Sequence, residues 1–178
     1  EKAYCTGALF AHIVPVAGVD AEGRPHIAFV PRDAAGLTVI DSWDGFGQRI
    51  TASGQVRIEG VRVPASEVIP AWKAYDQPTA DGPISQIIQA AVDTGIARGA
   101  FAETLRVARQ ARPWVDSGLQ HGWQDPLGQA LIGELAWRLQ AAEAILQRAA
   151  EAVDRAVAEP GEEHVAEASV VVGQAKVL

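Results

Sequence analysis

The chain has 178 residues, enough for a sizeable core in one or two domains, and its 48% apolar and 21% charged residues fit a globular protein. A net charge of −7 without any block of Lys and Arg argues against nucleic acid as a main partner. No apolar run approaches the roughly 20 residues that cross a bilayer, and no charged-then-apolar leader opens the chain.

Cys5 is the single cysteine, so an internal disulfide is excluded and a reducing cytoplasm is the default setting. The four histidines are scattered and no pair has metal-ligand spacing, so no metal is expected. There is no methionine, the first residues already read as a strand, and the last segment reads as a helix without a cap. The expectation is the interior of a longer protein, with catalytic residues in segments not present here.

Strand signals fill the first part. Ala8 to Val19 is almost continuously apolar, as expected of a strand buried on both faces, and Pro15 within it marks a bulge or a sheet edge. On the same reading His12 lies in a buried strand, as a core or pocket histidine. Asp20-Ala21-Glu22-Gly23-Arg24-Pro25 is a turn cluster, after which His26 to Val30 returns as a strand. Gly36 precedes a strand at Leu37 to Ile40. Val56-Arg57-Ile58-Glu59 alternates apolar and charged residues, and the phase slips by one at Glu59-Gly60, which predicts a bulge or turn. Several short strands with Gly and Pro turns make a small barrel or sandwich.

The character changes near residue 75. A proline-marked connector over 65–82 leads to helical patterns. Ile84, Ile88, Ala91, Gly95, Gly99 and Ala102 fall on one stripe with a small-residue centre, predicting close helix approach, and Pro113 predicts an end near Ala111. Asp125-Pro126 supplies an N-cap and first-turn proline for a helix of roughly 30 residues, or 45 Å. Its apolar stripe runs from Leu131 through Leu135, Leu139, Leu146 and Val153 to Val157. Pro160-Gly161 ends it, and Glu162 and Glu163 open a third helix, where acidic residues suit the dipole. Helices this long need a bundle or an oligomer core to bury them.

Three segments carry a more specific signal. Tyr4-Cys5-Thr6-Gly7 opens the chain. Ser42-Trp43-Asp44-Gly45-Phe46-Gly47-Gln48-Arg49-Ile50-Thr51-Ala52-Ser53-Gly54 leads into a strand that ends in Val61-Arg62-Val63-Pro64. Ser85 to Gly99 and Ala168 to Lys176 are Ala-rich helical stretches. Together they resemble the acyl-CoA dehydrogenase family. Tyr4 to His12, Trp43 to Gly54, Asp81-Gly82-Pro83 and Arg112-Pro113-Trp114 resemble its flavin-dependent sulfur-compound monooxygenases, the group of dibenzothiophene monooxygenase and the sulfur-acquisition oxidoreductases.

The resemblance implies an α+β chain. Residues 1–75 would be a flavin-contacting middle β-barrel, and residues 76–178 an incomplete C-terminal antiparallel helical bundle. It also implies reduced FMN supplied by a separate reductase (FAD as the alternative), molecular oxygen and a small organosulfur substrate oxidised through a flavin C4a oxygen adduct, in a homotetramer. Tyr4 would take the family's aromatic position along the isoalloxazine ring and Thr6 the hydroxyl position, where a hydroxyl or backbone N–H can meet the N5/O4 edge. The residues alone allow both to be ordinary strand residues. Trp43 either walls the flavin pocket or caps the barrel. Arg112, before Trp114, corresponds to an arginine that reaches the flavin phosphate tail of a neighbouring subunit; alternatively Arg106, Arg109 and Arg112 are dipole-compensating charges at a helix end. Arg49 and Ser53 are read as holding their loop. Two other readings stand beside this one: a true acyl-CoA dehydrogenase with bound FAD and a glutamate base, and a helical scaffold without flavin.

Overall fold

The computed structural model describes residues 1–177. It divides into two units, Glu1–Gln77 and a helical unit that begins at Pro78. The element order, antiparallel strands followed by long helices, is the expected α+β arrangement.

In the first unit, β1 (Ile13–Val19) and β2 (Pro25–Pro31) form an antiparallel hairpin with Val14 opposite Val30 and Val19 opposite Pro25. The turn cluster works as its composition suggests. Asp20 Oδ1 accepts the backbone N–H groups of Glu22 (3.0 Å) and Arg24 (2.8 Å), and Gly23 takes a left-handed φ of 80°. A two-residue strand, β5 (Val68–Ile69), pairs with Ile27 and Ala28 on the other side of β2. β1 is therefore an edge strand, where Pro15 is tolerated. The connector holds more structure than its prolines suggest: β5, flanked by two short 3-10 helices, is too short for periodicity to reveal. Trp72 anchors it, with Arg24 and Lys73 over its ring at 5.5 and 5.2 Å.

A second antiparallel pair, β3 (Leu37–Ile40) and β4 (Gln55–Ile58), makes its own sheet. Lys2 bridges to Val56 on β4. The core is Ala8, Val14, Val30, Leu37 and Val56, with Val61 and Val63 packed against it. The predicted phase slip is a turn at Glu59-Gly60, where Gly60 has a φ of 63°. Gly36 (φ 89°) permits this closure: a Cβ there would lie 2.1 Å from the Glu59 carbonyl oxygen.

Two expectations are corrected. β1 begins at Ile13, and Ala8–Phe10 form turns, because a continuous apolar run does not distinguish a strand from a buried turn. Along β1 only Val14 is buried, so the strand is not covered on both faces, and His12 is exposed just before it.

The helical unit consists of α1 (Asp81–Gln110), α2 (Pro126–Ala158) and α3 (Glu162–Val177). Pro83 lies inside the first turn of α1, where its missing N–H leaves no helical bond unmade. α1 stops at Gln110, three residues before Pro113. The Asp125 carboxylate caps α2 by accepting from the Leu127 and Gly128 N–H groups, both at 3.2 Å.

Where the helices meet, the core is almost entirely alanine and valine: Ala90, Ala149, Ala152, Val153, Ala156, Ala168, Val171, Val172 and Ala175. Thr94 is buried with them and satisfies its hydroxyl on the Ala90 carbonyl, 2.8 Å away. The buried face of α1 is Pro83, Ala90 and Thr94, with Ile87 half-buried. The Ile84–Ala102 stripe expected to pack is exposed within the unit. α1 carries apolar residues on more than one face, so periodicity alone did not choose between them. Similarly, Leu131, Leu135 and Val157 at the ends of the α2 stripe are exposed.

Candidate functional site

The region that concentrates chemistry lies in the first unit, where residues 2–7 run beside residues 51–56. Backbone bonds tie the two segments. Lys2 and Val56 exchange N–H donors at 2.8 and 2.9 Å, Cys5 N–H reaches the Gly54 carbonyl (3.0 Å) and Gly7 N–H the Thr51 carbonyl (3.1 Å). Small residues allow the approach: a Cβ on Gly54 would lie 2.3 Å from the Ile40 carbonyl oxygen.

Three side chains predicted from the sequence are brought together here. The Tyr4 and Trp43 rings meet edge to face, with centroids 6.2 Å apart and planes at 72°. Trp43 Nε1 donates to the Gln48 carbonyl at 2.9 Å. Gly45 lets the indole fold over its loop, since a Cβ there would lie 2.5 Å from the ring. The same Gln48 carbonyl accepts the Thr51 hydroxyl (3.0 Å) and the Thr51 N–H (3.2 Å). Thr51 Oγ1 lies 2.7 Å from Ser53 Oγ, which lies 2.9 Å from Thr6 Oγ1. One connected network thus links Trp43, Gln48, Thr51, Ser53 and Thr6.

The backbone around this network is held in unusual shapes. Tyr4 (φ 56°), Gln48 (φ 48°) and Ala52 (φ 47°) are the left-handed non-glycine residues among those described, and all three flank it. Such conformations persist only where the surroundings fix them, and they gather at functional sites. Thr6 is exposed and lines a groove of about 240 Å³ with Cys5, Gly7, Ala11, Val16 and Ile58 among its walls. Tyr4 (76%), Phe46 (103%) and Ile50 (90%), all from these segments, expose apolar surface.

The Thr6 N–H is bound to the Tyr4 carbonyl at 2.9 Å and the Ala8 N–H to Cys5 O at 3.1 Å. Of the two groups expected to offer a bond at this position, only the Thr6 hydroxyl is open to a ligand. Ser53 holds the loop, as anticipated, whereas Arg49 is exposed. Thr51 and the Gln48 carbonyl were missed. The Thr-x-Ser spacing, which keeps two hydroxyls one residue apart and within reach of each other, was the available signal for the first.

Arg112 belongs to the helical unit, just past the end of α1. It is exposed, and its guanidinium makes no ion pair among the described residues. It opens a loop closed at its base by the bond from Gly122 N–H to the Ala111 carbonyl (3.1 Å). Arg106, by contrast, is bound to Glu103, with Nε 2.8 Å from the carboxylate. That hydrogen bond holds the Glu103 carboxyl below its ordinary value against a smaller opposing effect of desolvation. No group of acidic, His or Cys side chains among the described residues could hold a metal.

The acyl-CoA dehydrogenase C-terminal domain matches residues 87–176. The chain belongs to the acyl-CoA dehydrogenase family.

Within this family, dibenzothiophene monooxygenase of Rhodococcus erythropolis is 34% identical over 162 residues, 84% of this chain and 39% of its own length. The Pseudomonas putida protein named "Probable FMNH2-dependent monooxygenase SfnC" is 31% identical over 161 residues, 88% of this chain and 41% of its own. The complex of TdsC from Paenibacillus sp. A11-2 with FMN and indole superposes with a TM-score of 0.86 at 32% identity, covering 99% of this chain and 48% of TdsC. This acyl-CoA dehydrogenase-family chain therefore resembles flavin-dependent sulfur-compound monooxygenases while spanning less than half the length of each. No helix among the described residues is long and apolar enough to cross a membrane.

Proposed function

We propose that this chain is the middle and C-terminal part of a reduced-flavin-dependent monooxygenase that oxygenates a small organosulfur compound. The observation that carries the reading is the joined Tyr4–Trp43 aromatic pair and Thr6 hydroxyl, in a chain whose fold matches that of an FMN-binding relative. These residues suit an isoalloxazine ring. Tyr4 and Trp43 offer aromatic surface to a ring face, and Thr6 offers one polar atom to its edge. Reduced FMN, when bound, supplies the two electrons that activate molecular oxygen. The protein's task is to bind and orient the ring and to keep water from the reacting edge. Thr6 holds the N5 side of the ring through its hydroxyl. Arg112, exposed on its loop, is assigned to the phosphate tail of the flavin held by a neighbouring subunit, where a guanidinium makes charge-assisted bonds.

The helical unit provides assembly. Ile88, Val92, Ile96, Leu131, Leu135 and Trp137 are all exposed on α1 and α2. Uncovered apolar surface of this kind supports a tetramer, or a dimer of dimers, of the whole protein. A cytoplasmic setting with a separate flavin reductase completes the reading.

The test is oxygen-dependent turnover of sulfides and sulfones by the full-length protein with a flavin reductase and FMN, repeated with FAD. Oxygenated product is expected. Electron transfer from an acyl-CoA to an artificial acceptor, without oxygenation, would establish the dehydrogenase alternative instead. A monomer in sedimentation at micromolar concentration would refute the assembly.

A further inference from the structure

The hydroxyls behind Thr6 have one proton each, and their direction follows from the acceptor at the far end of the chain, the Gln48 carbonyl. A carbonyl oxygen can only accept, so at 3.0 Å from Gln48 O the Thr51 hydroxyl donates. With that proton committed, Thr51 Oγ1 accepts from Ser53 at 2.7 Å. Ser53 then has no proton left for Thr6 and accepts from it at 2.9 Å. The opposite polarity would set the Thr51 oxygen against the Gln48 oxygen with no hydrogen between them. Ser53 is 9% exposed, so water has little access to replace a link. Thr6 therefore donates inward, and its oxygen presents only lone pairs to the groove. Its own N–H is held by Tyr4 O and supplies no donor in compensation.

We propose that Ser53 and Thr51 are positioning residues that make Thr6 an obligate hydrogen-bond acceptor, and that the site thereby selects reduced over oxidised flavin. The N5 of a reduced flavin carries a hydrogen and can donate to Thr6; the N5 of the oxidised ring is itself an acceptor and faces a second acceptor. The polarised relay thus favours the cofactor form that arrives from a reductase and disfavours the form that must leave. The inference rests on the reading above, in which Thr6 meets the N5 side of the ring.

The experiment is equilibrium binding of photoreduced FMN, without oxygen, and of oxidised FMN to the full-length protein. It is repeated for Ser53→Ala, Thr51→Val and Thr51→Ser. Ser53→Ala releases the Thr6 proton, and Thr51→Val removes the link to the Gln48 carbonyl that sets the direction. In both, the preference for reduced FMN should fall by roughly 2- to 12-fold, the range for one hydrogen bond. A tenfold fall corresponds to a midpoint potential of the bound flavin lower by about 30 mV. Thr51→Ser keeps the hydroxyl and should keep the wild-type preference, which separates relay polarity from loop packing. If FMN binds and neither Ser53→Ala nor Thr51→Val alters the preference, the relay inference is wrong while the flavin reading stands. If neither form of FMN binds, the flavin reading fails and the inference falls with it.

Discussion

In the β unit the polar atoms around Thr6 are bound to one another, and three left-handed residues are held in place to achieve it. In the helical unit the core is a seam of alanines and valines, and long apolar faces on α1 and α2 are left uncovered. The first region is complete in its own polar contacts and specific in shape. The second is tightly packed where its helices meet and open elsewhere. The contrast separates two kinds of constraint. On the function proposed above, the site must aim a few atoms and tolerates strain to do so, whereas the assembly surface needs only shape and apolar area.

Substitutions can break this contrast, and the largest effects belong in the β unit. Gly36→Ala should destabilise that unit by about 3 kcal/mol or more, through left-handed strain plus the clash with Glu59 O, read as a fall in the thermal midpoint. A midpoint unchanged from wild type would mean the loop has room to move that the contact denies. Thr6→Val should leave the fold intact while raising the reaction barrier by about 3 kcal/mol, the scale for one preorganised group at the reacting atoms. The readout is hydrogen peroxide released in place of oxygenated product. Arg112→Ala should show the reverse pattern, with flavin affinity down about tenfold or more and the product-to-peroxide ratio of bound enzyme retained.

In the helical unit, Ala152→Leu should cost about 1–3 kcal/mol by overpacking the seam, seen in chemical denaturation. Gly95→Ala sharpens the comparison, because its Cβ meets nothing within 4 Å inside the unit. Helix propensity predicts a gain of about 0.8–1 kcal/mol. If that exposed face is an interface between copies, sedimentation should show weaker association despite the more stable helix.

The smallest effect concerns the β1–β2 turn. Desolvation pulls the Asp20 carboxyl up, but hydrogen bonds from the Arg24 backbone and guanidinium, the charge of Arg24 and the Glu22 N–H together hold it below its ordinary value of 3.8. A depressed carboxyl contributes stability above its unfolded value, and that contribution is lost as pH falls through the folded value, here below 3.8. Asp20→Asn should therefore flatten the acid limb of the stability profile slightly, measurable by thermal melts from about pH 2 to pH 7.

The sequence was most legible where a residue type has one physical use. Asp125-Pro126 marked the start of α2, Gly60 the turn after β4 and Pro15 an edge strand, because each acts through its own backbone or side chain. Apolar runs were less informative. Ala8–Phe10 reads as a strand and folds as turns, and α1 offered several apolar stripes of which tertiary contact selected one. Tyr4, Thr6 and Trp43 were singled out through family resemblance, and the fold brings them together. The relay that orients Thr6 was not, because its anchor is the main-chain carbonyl of Gln48, and a carbonyl is present at every position. Only the fold singles one out.

The bond between Thr6 and Ser53 joins residues 47 apart in the chain. Closing so long a loop is entropically slow, so during folding this contact should follow the β1–β2 hairpin, whose partners are near neighbours. The groove beside Thr6 would then be among the last features of the unit to mature. Appearance of flavin-binding capacity in a refolding experiment should lag the recovery of strand signal, and ligand added late in refolding would trap the finished state rather than accelerate its formation.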